Sequence, residues 1–136
     1  MRALPDARRL TQGLRGREPG IHANAQIQEE LVMITVNVLY PNTEGAKFDM
    51  NYYLSSHIPM VKRLFGSALK GCVVEKGLGG AAPGTQATYA TLCHLRFDSL
   101  EAFQAAFAPH AEQIQNDIAN YSSVQPIIQI SEVLES

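Results

Sequence analysis

After Met33 the apolar spacing of this chain switches between two periods four times, and those switches leave few folds open. "MITVNVLYP" (33–41) is rich in β-branched residues and is stopped by Pro41, the pattern of a strand with Asn37 inside it. From Phe48 the steps become three and four: Met50, Tyr53, Leu54, His57, Val61, Leu64 and Phe65 trace one face of a helix that ends at Gly66. "ALKGCVVEKGL" (68–78) and "TYATLCHLRF" (88–97) read as a second and third strand, joined by the flexible connector "GGAAPGTQA" (79–87). "DSLEAF" opens a second helix, with Asp98 and Glu101 at capping-box spacing and Leu100, Phe103, Phe107, Ile114 and Ile118 as its stripe. Pro109 removes a backbone donor and divides that helix. "VQPIIQISEVL" (124–134) is the last strand, where Pro126 implies an edge or a bulge.

The order strand, helix, strand, strand, helix, strand points to the ferredoxin-like α+β arrangement. Pairing the first and third strands in parallel through a right-handed crossover leads to a four-stranded antiparallel sheet with both helices on one face. The other face is then left open. A second copy of the same sheet is its expected cover, because an apolar face of this size invites aggregation.

Composition narrows the function classes. Of 136 residues, 46% are hydrophobic and 18% charged, enough for one domain with a real core. A net charge of −2, without an aromatic-interleaved basic patch, gives no electrostatic basis for nucleic-acid binding. No apolar run approaches the ~20 residues that cross a membrane. Cys72 and Cys93 are too few for a disulfide framework, so two thiols in a cytoplasmic protein are expected. Symmetric about residues 82 and 83, they are expected to face each other across the hairpin. Residues 1–32 lack an apolar period and read as a disordered or non-native extension, with "NAQIQEELV" as a short helical lead-in and Met33 as a candidate start. Residues 33–136 are the domain.

"FDMNYYLSSHIPMV", "YATLCHLRFDSLEAFQAAF" and "DIANYSSVQPIIQISEV" closely resemble, in order, the EthD family, named for a component of ethyl tert-butyl ether degradation. The resemblance covers nearly all of residues 33–135. It implies a dimeric α+β barrel: two ferredoxin-like subunits packed sheet to sheet, each with a pocket between sheet and helices. It implies a homodimer that takes a small apolar organic ligand. Similar folds carry several chemistries, among them monooxygenation, isomerisation and haem chemistry, so fold analogy selects none and the cofactor is unknown.

His57 is the candidate acid/base. It matches the family histidine, lies on the apolar helix face, and stays neutral and proton-accepting if modestly buried. The plainer reading is a core histidine, with one ring nitrogen on the residue 55 carbonyl that Pro59 leaves free. Tyr53 faces inward as a ligand-binding candidate or a core aromatic, and Tyr52 sits at the rim. Asp49 fits an N-cap better than a general base. Asn37, with Thr35 and Gln129, is a polar interruption that would bind ligand if it faces the pocket. His94 and Arg96 share a strand face away from the helices and read as interface groups. His110 reads as a histidine in the turn after Pro109. His57, His94 and His110 lack metal-ligand spacing, so no metal is expected. "GLGGAAPG" (77–84) joins two strands instead of opening a helix, which excludes a phosphate loop but leaves a mobile lid.

Two functions follow. In one, the protein is an enzyme of cofactor-free oxidation, isomerisation or proton transfer on small apolar compounds. In the alternative, it is a non-catalytic accessory protein that sequesters an intermediate for a partner oxidase.

Overall fold

The structure, a computed structural model, describes residues 32–136, so the expectations for residues 1–31 lie outside the described residues. Strand β1 (Ile34–Pro41) leads into helix α1 (50–65), then β2 (Gly71–Lys76) and β3 (Tyr89–Phe97). Helix α2 (Leu100–Phe107), a 3-10 turn (Ala108–His110) and α3 (Ala111–Asn116) follow, and a second 3-10 turn (Ile118–Asn120) precedes β4 (Ile127–Glu132). The sheet order is β2-β3-β1-β4, and every neighbouring pair is antiparallel. The parallel pairing expected for the first and third strands is therefore corrected. The α1 crossover returns the chain to β2, parallel to β1, and the hairpin then reverses it before β3 enters beside β1.

Alternation fixes the two faces. Ile34, Val36 and Tyr40 of β1 and Thr91, Cys93, Leu95 and Phe97 of β3 are buried on the helix side. Phe97, wholly buried, meets Phe65 of α1 at 5.3 Å and Phe103 of α2 at 5.2 Å, both edge to face. One β3 side chain thus anchors both helices to the sheet. The opposite face has no covering element among the described residues, and Val73 and Ile127 are about half exposed there.

The helix termini refine two expectations. Asp49 caps α1, its carboxylate accepting from the Tyr52 amide. At α2 the cap is Ser99, whose Oγ accepts from Ala102 N at 3.0 Å, while Asp98 points out towards Lys70. Ser99 has the extended backbone a cap requires, so the box expected at Asp98 sits one residue too early. Pro109 divides the second helix as expected. Among the described residues β4 pairs only with β1, as an edge strand that starts just after Pro126.

The cysteines are diagonal neighbours on one sheet face and not directly opposed, with their thiols within hydrogen-bond reach. Cys72 pairs with Leu95 and Cys93 with Val74, a diagonal relation. Diagonal Cα atoms lie roughly 7–8 Å apart, at or beyond the reach of a disulfide. Both are free thiols. The connector is likewise more ordered than its composition suggests. Gly77 donates to the Ala90 carbonyl, Gly80 to that of Thr85, and Thr85 N to that of Ala82. A Cβ on Gly77 would collide with the Tyr89 carbonyl, so glycine is required there for close approach.

Phe97→Ala is expected to cost about 3–5 kcal/mol by opening a cavity between the helices, read as a fall in denaturation midpoint. Thr91, fully buried, has a hydroxyl without a hydrogen-bond partner among the described residues. Thr91→Val is therefore expected to leave the melting temperature unchanged or raise it.

Candidate active site

The site begins with a local irregularity of α1. Met50–Tyr52 and Ile58–Phe65 are α-helical, but Tyr53–His57 forms a π turn in which the Ile58 amide bonds to the Tyr53 carbonyl five residues back. Pro59 follows at the start of the second α segment and has no amide to give to residue 55. On an ideal α-helix residues five apart lie roughly 140° apart around the axis. The wider turn narrows that angle and brings Tyr52 and His57 to one side.

Both reach the same carboxylate. His57 Nδ1 is 2.8 Å from Asp117 Oδ2, and the Tyr52 hydroxyl donates to Asp117 Oδ1 at 2.7 Å. Asn120 Nδ2 donates to the same Oδ1 at 2.9 Å. The other ring nitrogen, Nε2, lies 3.2 Å from the Tyr121 hydroxyl, which in turn lies 2.6 Å from that of Tyr40. The Tyr53 ring stacks on the imidazole at 5.5 Å, with planes 14° apart. His57 is 4% exposed, so the imidazole is almost fully enclosed, while Asp117 and Tyr52 are half-buried and Asn120 is exposed.

The partners dictate the protonation pattern. Burial pushes the His57 pKa below 6.5, only partly offset by the bond to Asp117 and its charge. The ring is therefore neutral at neutral pH. Burial alone would raise the Asp117 carboxyl, but hydrogen bonds from Tyr52, His57 and Asn120 outweigh it and hold the group below its usual 3.8. An ionised carboxylate only accepts, so Nδ1 carries the proton and Nε2 has the free lone pair. Burial raises the phenols of Tyr121 and Tyr53, and it pushes Tyr40 up to about 12 against the bonds from Tyr121 and Tyr53. All three stay protonated, so the line runs Tyr40 O–H to Tyr121, Tyr121 O–H to His57 Nε2, and His57 Nδ1–H to Asp117.

The sequence-predicted residues divide between the faces. Tyr53, 1% exposed, and His57 belong to this cluster, and the half-buried Tyr52 does so more directly than a rim position suggests. Asn37 does not join them. It lies on the open sheet face, donating to the Gln129 carbonyl and Ser131 Oγ and facing His94 Nδ1 with its Oδ1 at 2.8 Å. His94 Nε2 reaches Glu75 at 3.1 Å on that same face. The expectation that a carbonyl freed by Pro59 would hold the imidazole is corrected: the π turn reroutes the backbone bonds and Asp117 takes Nδ1. Asp117 and Tyr121 were missed. One signal existed, since an acid at the C-terminal end of a helix opposes the macrodipole and calls for another purpose.

An open cleft of about 370 Å³ runs beside the start of α1 and residues 119–123, lined by Lys47, Phe48, Asp49, Asn120, Tyr121 and Ser123 among others. His57 does not line it, whereas its partner Tyr121 does. Among the described residues no group of three or more His, Cys, Asp or Glu side chains is arranged to hold a metal. No helix there is long and apolar enough to cross a membrane.

Comparison with known proteins places this geometry in a family. The EthD domain model matches residues 42–125, well over half of the chain. An EthD-like protein from Ralstonia eutropha JMP134 is 48% identical, with a TM-score of 0.74 over 77% of this chain and 95% of that one. An ethyl tert-butyl ether (EthD) family protein from Bacillus halodurans C-125 aligns at 19% identity over 75% of this chain and 99% of its own, TM-score 0.59. A dimeric ferredoxin-like protein of unknown function from Thermobifida fusca YX aligns at 16% identity, TM-score 0.50, over 75% of this chain and 92% of its own. These last two bear on the fold alone. A search among functionally curated proteins found no significant match. With the family model spanning both helices and the histidine cluster, and a 48% identical relative sharing the fold, this chain belongs to the EthD family.

Proposed function

We propose that this protein acts as a homodimer on a small, largely apolar organic compound, with His57 as the acid/base of an oxidoreductase- or isomerase-type step. The observation that carries the reading is the enclosed line from Asp117 through His57 to Tyr121. An anionic carboxylate that orients an imidazole and stabilises its protonated form, with a hydroxyl on the other nitrogen, is a recurrent arrangement for moving a proton. Here His57 Nε2 accepts the Tyr121 proton as Tyr121 accepts one from the ligand, and Asp117 stabilises the imidazolium that results. Of this line only Tyr121 borders the cleft, so a ligand proton passes through its hydroxyl, which must turn from its buried place between Tyr40 and His57 to meet the ligand. The homodimer reading rests on the half-exposed Val73 and Ile127 of the open sheet face and on the dimeric description of the Thermobifida fusca relative.

The second reading, a non-catalytic accessory protein that holds an intermediate for a partner oxidase, is favoured by one observation. Both ring nitrogens of His57 are satisfied within the chain and His57 does not line the cleft, so a ligand can be held there without the imidazole taking part in chemistry.

Native mass spectrometry of the purified protein is expected to give a dimer of twice 14.9 kDa that retains a small organic ligand. A ligand-free monomer contradicts the reading. His57→Ala is expected to keep the ligand and lose roughly a hundredfold or more in turnover. Unchanged turnover refutes catalysis by His57, whereas a retained ligand with no turnover in either protein leaves the accessory role.

The pH response has a definite sign. A base whose pKa lies below 6.5 is fully competent at neutral pH, so the rate should be flat there and fall only on the acid side. The same depressed pKa contributes stability above about pH 6.5 that is lost as pH falls towards the folded value. A rate still climbing through pH 7–8 contradicts His57 as the base.

A further inference from the structure

We propose that Tyr52 is a positioning residue for His57: its hydroxyl, donated to the Asp117 oxygen that His57 leaves free, governs how strongly that carboxylate acts on the imidazole. The inference deepens the acid/base reading above and rests on it for its functional meaning. Its geometric basis is independent. Among the described residues Asp117 Oδ2 serves His57 alone, while Oδ1 serves Tyr52 at 2.7 Å and Asn120 at 2.9 Å. Asn120 Nδ2 also lies 3.4 Å from the Tyr52 oxygen, so the two donors form one cluster around Oδ1. One negative charge is thus shared among three donors. Each O–H or N–H dipole aimed at Oδ1 lowers the negative potential that Asp117 presents to His57.

The π turn gives this sharing its structural origin. The extra residue in the turn is what brings Tyr52, five positions earlier, onto the same carboxylate. Tyr52 is also half-buried where His57 is enclosed, so its hydroxyl links the interior to the rim.

The groups that bear on His57 are few. Asp117 and Tyr121 contact it from the segment after α3, and Tyr53 stacks on it from its own helix. Tyr40 of β1 reaches it through Tyr121. The Tyr52 and Tyr121 rings also stack, at 6.2 Å, so replacement must keep the ring. Tyr52→Phe meets that requirement and removes only the hydroxyl.

The test is an NMR titration of the His57 ring in the full-length protein, with its signal assigned by loss in His57→Ala. Tyr52→Phe is expected to shift the protonation midpoint upward, by roughly threefold or more in the proton-binding constant. Asn120→Ala, which removes the other donor to Oδ1, is expected to move it the same way. Asp117→Asn is expected to move it downward, since the interaction that favours the imidazolium is lost. A Tyr52 that only supports packing would lower the melting temperature and leave the midpoint in place. An unchanged or lowered midpoint in Tyr52→Phe overturns the proposal. The titration uses no substrate, so it stands or falls separately from the turnover of His57→Ala.

Discussion

The carboxylate of Asp117 is the constraint on which the candidate site depends. It sits just past α3, and its bonds to Tyr52 and His57 tie that segment to α1 across a span of 60 residues. Without an acceptor at Nδ1 the buried imidazole would have no fixed tautomer, and Nε2 would have no reason to point its lone pair at Tyr121. A half-buried carboxylate is costly to leave unpaired, and three donors satisfy it here. The site is held by mutual satisfaction of polar groups within an aromatic shell of Tyr40, Phe48, Tyr53 and Tyr121, whose rings meet at 4.9–5.9 Å. Those rings exclude water, and exclusion of water is what depresses the basicity of His57 and strengthens each bond around it.

The two faces of the sheet then divide the labour. The helix side carries the core and the histidine cluster. The open side carries a separate polar group, in which Asn37, His94 and Glu75 bridge β1, β3 and β2. Because side chains alternate along a strand, Asn37 and Val36 belong to different environments although they are adjacent. The histidine that faces helices and the histidine that faces outward therefore answer to different partners. His57 is governed by burial and Asp117, and His94 by side chains from its neighbouring strands.

Much of the architecture was legible because it follows from periodicity. The three-four spacing from Met50 to Phe65 and the stripe from Leu100 to Ile118 specify two helices, and β-branched runs specify the strands. Stretches such as "FDMNYYLSSHIPMV" also pointed to the family. What periodicity could not supply was strand direction and distant partnership. The direction of β3 depends on how the crossover and hairpin combine, which no single segment encodes. Asp117 and His57 are distant in sequence, and nothing local pairs them. Pro59 signalled irregular backbone, and the irregularity is real. Its form, a π turn and not a free carbonyl on the imidazole, depends on how Tyr52 and His57 are drawn to a residue beyond their own helix.

His57 is a neutral imidazole with its proton on Nδ1 and an accepting Nε2. Nitrogen-15 chemical shifts of that ring at neutral pH report it directly. The expected result is a protonated Nδ1 and an unprotonated Nε2 on the same ring. A proton found on Nε2, or on both nitrogens, would contradict it.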